Sequence, residues 1–322
     1  MTSVVICAYT TKRWEQLQAA VESVAGQSAD VEIVIVVDHD DVLLDMCVAT
    51  WPNHRVVPNQ FAQGLSGARN TGVSHTTGEV IAFLDDDAFA ESGWLDALTA
   101  GLAQQSVGGV GGHVTPVFAA APPSWLPPEF WWVVGCSYVG LPTEAREVRN
   151  PIGANMAFTR SVFEHVGGFR EEIGRVGTIP LGCEETELSI RARADGFSIW
   201  YLPTAIVHHS VPAERLTLRY FLRRCYAEGL SKALVSALAG RADGLASERA
   251  YVTRTLPGAV RVALVQAVRG PARIDGLRRA AAVIAGLLSA SAGFVQGAVA
   301  HRRRQASLGP APTIPWVVHI RD

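Results

Sequence analysis

Short apolar runs alternate with amphipathic stretches through the first hundred residues. Ser3-Val4-Val5-Ile6-Cys7-Ala8-Tyr9 has the length and composition of a buried parallel strand and gives way to a polar turn, Thr10-Thr11-Lys12-Arg13. Leu17, Ala20, Val21 and Val24 follow at near-helical spacing, with Gly26 as the stop signal. The β-branched run Glu32-Ile33-Val34-Ile35-Val36-Val37 then ends at Asp38-His39-Asp40-Asp41. This strand–helix–strand opening predicts a βαβ unit and a parallel sheet in an α/β fold. Its strand ends, Ala8-Tyr9-Thr10 and Asp38-His39, are expected side by side at the edge where open sheets bind ligands. A third run, Val80-Ile81-Ala82-Phe83-Leu84, ends in Asp85-Asp86-Asp87.

That triplet introduces chemistry. Clustered carboxylates repel unless each is solvated or finds a cation, and at a strand's carboxyl end they suit a divalent metal; a solvated acidic turn is the alternative. Between the second and third runs lies a glycine-spaced polar segment, Asn59 to Gly72, containing Ala68-Arg69-Asn70. Small residues there let the backbone approach a ligand, and Arg69 can grip an anion in two places or simply decorate a helix surface. A second acidic cluster, Glu184-Glu185-Thr186-Glu187, opens a later helix, where acids also complement the helix dipole. Neither a GxGxxG after the first strand nor a P-loop is present, which argues against a Rossmann dinucleotide site and a P-loop nucleotidase.

The chain has 322 residues, a net charge of -2 and 18% charged residues. That length accommodates one catalytic domain of about 220 to 250 residues and an appendage. The charge offers no basic field for nucleic acid. Mean hydropathy, +0.18, is high for a freely soluble protein and raises the question of a membrane. Five scattered cysteines form no CxxC pair, which points to a reducing compartment rather than a disulfide scaffold or structural zinc. A strand-like run at the very start leaves no room for a signal peptide, so the active domain is expected to face the cytoplasm.

Four ordered motifs together resemble the family-2 inverting glycosyltransferases of GT-A fold: Val5-Ile6-Cys7-Ala8-Tyr9, Val36-Val37-Asp38, Gly64 through Gly72, and the DxD-type Asp85-Asp86-Asp87. The resemblance covers roughly the first two-thirds of the chain. It implies a mostly parallel central sheet flanked by helices. It also implies that Ala8, Tyr9, Thr10, Arg13, Asp38, His39, Gly64, Arg69, Asp85 and Asp86 bind a nucleotide-sugar. His39 departs from the usual Asp or Asn. Asp87, Asp85 and, of the pair His208-His209, His209 are implied to hold Mg2+ or Mn2+. The family's Glu-Asp general base corresponds to Glu184-Glu185, with Glu185 in the Asp position. Two acidic clusters suit the chemistry, since a leaving diphosphate needs a cation and the attacking hydroxyl needs a separate base. Trp131 to Tyr138 and Arg149 to Asn155 further resemble members that transfer glucuronate to glucosylated polyprenyl or dolichyl phosphate.

The rest bears on partners. Pro122 to Trp132 is proline-rich and aromatic, equally suited to sugar rings, a lipid interface or packing over the core. Arg219, Arg223 and Arg224 suit phosphates or a lipid headgroup, or form a solvated helix face. Residues 280–300 carry no charge, contain a GxxxG at Gly293–Gly297, and are flanked by arginines at both ends. Arginines on both sides favour an interfacial or re-entrant helix over a single crossing. The expected organisation is a catalytic domain over 1–230 (nucleotide half 1–115, acceptor half 116–230), a helical membrane-associated appendage over 231–304 and a loose tail over 305–322. The expected activity is metal-dependent transfer of one sugar, from a UDP-sugar such as UDP-glucuronate, to a lipid-linked or glycan acceptor at the cytoplasmic leaflet. A catalytically silent membrane scaffold and a sugar-nucleotidyltransferase are the alternatives.

Overall fold

A computed structural model describes residues 1–27, 30–175, 181–239, 250–269 and 273–308. They form two compact units. Of the described residues, those within 1–117, 142–175 and 184–210 make up the first, and those within 118–141, 181–183 and 211–308 the second.

In the first unit the opening apolar runs become β1 (Thr2–Ala8), α1 (Trp14–Ala25) and β2 (Val31–Val37). Leu17, Ala20, Val21 and Val24 are the buried face of α1, and Gly26 caps it. Next come α2 (Asp41–Thr50), capped by Asp40 accepting from the Leu43 amide at 2.9 Å, β3 (Arg55–Pro58), α3 (Leu65–His75) and β4 (Val80–Asp85). Beyond these lie β5 (Ala88–Ala90), α4 (Trp94–Leu102), β6 (Val107–Phe118), β7 (Arg146–Glu147), β8 (Asn155–Thr159), α5 (Arg160–Val166), α6 (Glu184–Ala194) and β9 (Ser198–Val211).

The sheet is mixed, in the order β3-β2-β1-β4-β8-β6-β9-β5 with β7 on β9. Pairing is parallel from β3 to β4 and antiparallel at β4–β8, β8–β6, β9–β5 and β9–β7. Phe83, Met156, Phe158, Phe163 and Phe169 centre its core. One side chain pins the antiparallel half. Asn155, fully buried, donates to the carbonyls of His113 (2.9 Å) and Ala205 (2.8 Å) and accepts from the Trp94 indole (2.8 Å). β9 is one continuous strand from Ser198 to Val211. Pro203 lies between the residues paired with β7 and those paired with β5, so its missing N–H costs neither ladder a bond.

The second unit contains α7 (Leu218–Ala239), α8 (Leu256–Arg269) and α9 (Arg273–Leu308). The proline-rich aromatic segment packs into its core as a 3-10 turn, Pro128–Val134. Trp125 and Phe130 meet Phe221 at 5.6 and 5.3 Å, and the Trp132 indole donates to the Tyr251 hydroxyl at 3.1 Å. The GxxxG finds its partner within the chain. A Cβ on Gly293 would overlap the Tyr226 carbonyl, one on Gly229 the Ala290 carbonyl, and one on Gly297 would sit 2.7 Å from the Ala233 methyl. Small residues therefore let α7 and α9 touch backbone to backbone. Residue 230 lies inside α7, and α9 continues past Arg304 to Leu308. The remainder of the expected tail, 309–322, lies outside the described residues.

Candidate active site

Parallel pairing places Ala8 beside Val37 and Cys7 beside Asp85, while the Asp38 amide donates to the Ala8 carbonyl at 2.7 Å. The carboxyl ends of β1, β2 and β4 thus form one edge. Ala8, Tyr9, Arg13, Asp38, Asp85, Asp86 and Asp87 line a single cleft there, as the sequence implied. Cys7, Leu65, Ala68 and Arg175 complete it. Burial pushes the Cys7 thiol well above its ordinary range, so it serves as wall rather than nucleophile.

The three aspartates have three environments. Asp86 is buried and takes Arg13 Nη1 at 2.5 Å, while Asp87 takes Arg13 Nη2 at 3.1 Å. Burial pushes the Asp86 carboxyl up, against the pull of Arg13 and with the push of Asp87. Arg13 itself stacks 5.1 Å over the Tyr9 ring. Asp85 is the most open of the three and receives Arg69 Nη2 at 3.4 Å. His209 reaches the triplet because β5 turns back and pairs Ala88 with His209. Its Nε2 lies 3.1 Å from Asp87 Oδ1 in a buried setting. His208 faces elsewhere, stacked on Phe89 at 4.9 Å with Nε2 2.6 Å from Glu91. Asp85, Asp87 and His209 each offer a ligand atom, all within 4.8 Å of one another. Two carboxylates and an imidazole fit a divalent cation such as Mn2+ or Mg2+.

Asp38 is nearly buried and braces a loop. Its Oδ1 accepts from Asn59 Nδ2 at 2.7 Å and its Oδ2 from the Gly64 amide at 3.0 Å. His39, in the left-handed region at φ 57°, lies at the rim with Nδ1 2.9 Å from Asp38. Thr10 accepts from the Lys12 amide at 3.4 Å and caps the turn that carries Arg13. The glycine spacing serves packing: a Cβ on Gly72 would overlap Val5 of β1, and one on Gly67 the Ala62 carbonyl.

Arg69 is neither a surface residue nor part of the cleft lining. Fully buried in α3, it donates to Glu184 Oε1 at 2.7 Å, the Gly153 carbonyl at 2.9 Å and Asp85 at 3.4 Å, over the rings of Phe83 and Phe169. Burial alone would lower its pKa, but Glu184 and Asp85 outweigh that and hold it raised. The second acidic cluster therefore divides by role. Glu184 pairs with Arg69, and buried Glu187 pairs with Arg170 and Arg191, both at 2.7 Å. Glu185 is half-buried at the first turn of α6, its Oε1 accepting from the Thr186 hydroxyl at 3.0 Å. Sequence reasoning missed Arg175 and gave Asn59, the first residue of the glycine-spaced segment, no role of its own. An Asn after a short strand and an Arg in a loop carry no local pattern that marks them.

A model of glycosyl transferase family 2 matches residues 3–167. The glucosyl-dolichyl phosphate glucuronosyltransferase of Haloferax volcanii is 34% identical over 242 residues, 73% of this chain and 77% of its own. The succinoglycan biosynthesis protein ExoM of Rhizobium meliloti is 28% identical over 183 residues, 56% of this chain and 55% of its own. Among solved structures, a mannosyltransferase from Pyrobaculum calidifontis in complex with GDP-mannose and Mn2+ superposes with a TM-score of 0.53 at 18% identity, covering 90% of this chain and 86% of that one. The fold is thus GT-A, and the chain belongs to glycosyl transferase family 2 and is a glycosyltransferase.

Proposed function

We propose that this glycosyltransferase is a metal-dependent, inverting enzyme that moves one sugar from a UDP-sugar, with UDP-glucuronate the favoured donor, to a lipid-linked acceptor at the cytoplasmic face of the membrane. The observation that carries this reading is the convergence of Asp85, Asp87 and His209 within 4.8 Å, beside Tyr9 and Asp38 at one sheet edge. The donor and acceptor classes are supported by the function named for the Haloferax volcanii relative.

Asp85, Asp87 and His209 would hold the Mn2+ or Mg2+, which when bound neutralises charge on the leaving diphosphate. Tyr9, Ala8 and Asp38 bind the nucleoside, with the Asp38 carboxylate aimed by the Asn59 and Gly64 donors. Arg13 carries a cation to the same cleft and holds Asp86 and Asp87 in place. Glu185, half-buried at the first turn of α6 and in the Asp position of the family's Glu-Asp pair, is the general base. It takes the proton of the acceptor hydroxyl as that oxygen bonds to the anomeric carbon, while the bond to the diphosphate breaks on the opposite face. Attack and departure on opposite faces invert the anomeric centre. The test is thermal stabilisation by a panel of UDP-sugars with and without Mn2+, followed by a transfer assay. Asp87→Ala is expected to erase the Mn2+-dependent part of the shift. Glu185→Gln is expected to keep the donor-dependent shift and lower transfer by at least about a hundredfold. An Asp87→Ala shift equal to wild type would remove the metal assignment, and near-normal turnover of Glu185→Gln would place the base elsewhere.

A further inference from the structure

The second unit holds a groove that the catalytic reading does not use. It has a volume of about 790 Å3 and lies between α8, with Val252 just before it, and α9. Its walls are aliphatic: Leu256, Val260, Leu264 and Val268 on α8 face Val283 and Leu287 on α9. Its inner side is continuous with the aromatic core, because Leu256 and Val283 are buried in the same cluster as Phe130 and Phe221. Its outer lip is open, with Val268 71% and Leu288 64% exposed. Among the described residues, its charged lining is Arg261 and Arg269, both cations.

We propose that this groove takes the hydrocarbon chain of a phosphate-bearing isoprenoid lipid, the acceptor class proposed above, on which this inference rests. Three features select that occupant. A volume of this size falls within the range of about 300–1,000 Å3 that small-molecule pockets occupy. A flat bilayer surface covers convex stripes and leaves a concave slot unfilled, whereas one flexible chain fills it. The polar lining is cationic throughout, so the occupant is anionic. A second copy of the same face would set Arg261 and Arg269 against arginines and is disfavoured by like charge.

The test is binding to the full-length protein without donor, so it reads the groove and not turnover. Fluorescence or calorimetric titration uses geranylgeranyl phosphate as probe, with geranylgeraniol, palmitoyl phosphate, inorganic phosphate and anionic vesicles as separate arms. Geranylgeranyl phosphate is expected to bind with one-to-one stoichiometry and more tightly than geranylgeraniol. A farnesyl analogue is expected to bind more weakly, by up to about fourfold per lost methylene. Val265→Glu and Arg261→Glu, both on the open side of α8, are each expected to weaken binding at least tenfold. The donor-dependent thermal shift stays unchanged in both, which also certifies their folding. Binding that ignores both substitutions overturns the proposal, as does equal affinity for inorganic phosphate. Tighter binding of palmitoyl phosphate than of the prenyl phosphate overturns the acceptor assignment. Binding to vesicles alone makes the face a bilayer contact, and dimerisation in light scattering makes it a contact between copies; either result overturns the proposal. Failure of the sugar-transfer reading would appear instead as a missing donor shift, with prenyl phosphate binding intact.

Discussion

Arg69 is the residue that joins the two acidic clusters. A guanidinium with no exposed surface to speak of must spend its donors on acceptors, and it spends them on Glu184, Asp85 and the Gly153 carbonyl. Its role is positioning: it fixes one metal-ligand candidate relative to the first turn of α6, where the proposed base follows at Glu185. Removing one partner of a buried pair leaves the other charge uncompensated, at about 3–5 kcal/mol. Arg69→Met is therefore expected to lower the unfolding free energy by that amount in urea titration. Adding Glu184→Met to it is expected to restore part of the loss, because the stranded carboxylate disappears with its partner. Strictly additive losses would mean that the two side chains act independently. The sequence suggested for Arg69 either an external anion or a helix surface, and the structure turns the side chain inward instead. Nothing in a glycine-spaced segment tells whether an arginine turns outward to a ligand or inward to a distant glutamate 115 positions later.

At the level of elements, the parallel half was legible and the antiparallel half only in places. β1, β2 and β4 are short apolar runs ending in polar residues, and their register alone brings Ala8, Asp38 and Asp85 together. β6 reads Val107-Gly108-Gly109-Val110-Gly111-Gly112, which propensity rejects as a strand. The structure gives the reason for its glycines: a Cβ there would strike Phe197, Phe158, Pro151 or the Ala205 carbonyl as neighbouring chain crosses close above. His209 was named on resemblance, and only the β5–β9 pairing accounts for it over His208. In α7, helical spacing stacks Arg224, Glu228 and Lys232, with contacts of 2.8 and 3.4 Å to the glutamate. Burial alone would raise the Glu228 pKa, but Lys232 and Arg224 pull it down to about 2. A depressed folded pKa gives stability that is present above the ordinary glutamate range and lost as pH falls towards 2. The advantage of wild type over Glu228→Gln is expected to reach at most about 3 kcal/mol at neutral pH. It should shrink between about pH 4.5 and 2, followed by parallel denaturant titrations of the two proteins. A difference that stays constant across that window would detach Glu228 from the acid sensitivity of the helix.

For the molecule as a whole, net charge of -2 supplies no general attraction to an anionic surface, so any membrane contact must come from a local arrangement. α9 has one. Ile274, Leu277, Ile284, Leu288, Val295 and Val299 are all exposed, and at about 100° per residue they fall within an arc of about 80°. Gly286, Gly293 and Gly297 lie on the opposite face, turned into the second unit. The stripe runs for about 38 Å from Ile274 to Val299; residues 280–300, about 30 Å of it, carry no charge, with Arg273, Arg278 and Arg279 at one end and Arg302 and Arg303 at the other. By length and composition, Arg273–Arg303 is the one described helix that could cross a bilayer. A stripe on one face, bounded by arginines at both ends, fits a helix lying in the leaflet plane better than one crossing it. Deleting residues from 280 onward would also remove the wall against which Tyr226 and Gly229 of α7 pack, so loss of binding on truncation would not isolate the stripe. Val295→Asp with Val299→Asp does isolate it, because both are exposed and neither lines the groove between α8 and α9. Flotation with vesicles containing anionic phospholipid is expected to recover the wild type, and neutral vesicles much less of it, since each basic residue near an anionic surface contributes about 1 kcal/mol. Raising salt towards 1 M, where the screening length falls to about 3 Å, is expected to weaken the anionic preference and leave a residual apolar component. The double substitution is expected to lower vesicle partitioning at least tenfold with the donor-dependent thermal shift unchanged. Equal recovery of the two proteins on anionic vesicles would show that the stripe does not face a membrane and that the acceptor reaches the enzyme by another route.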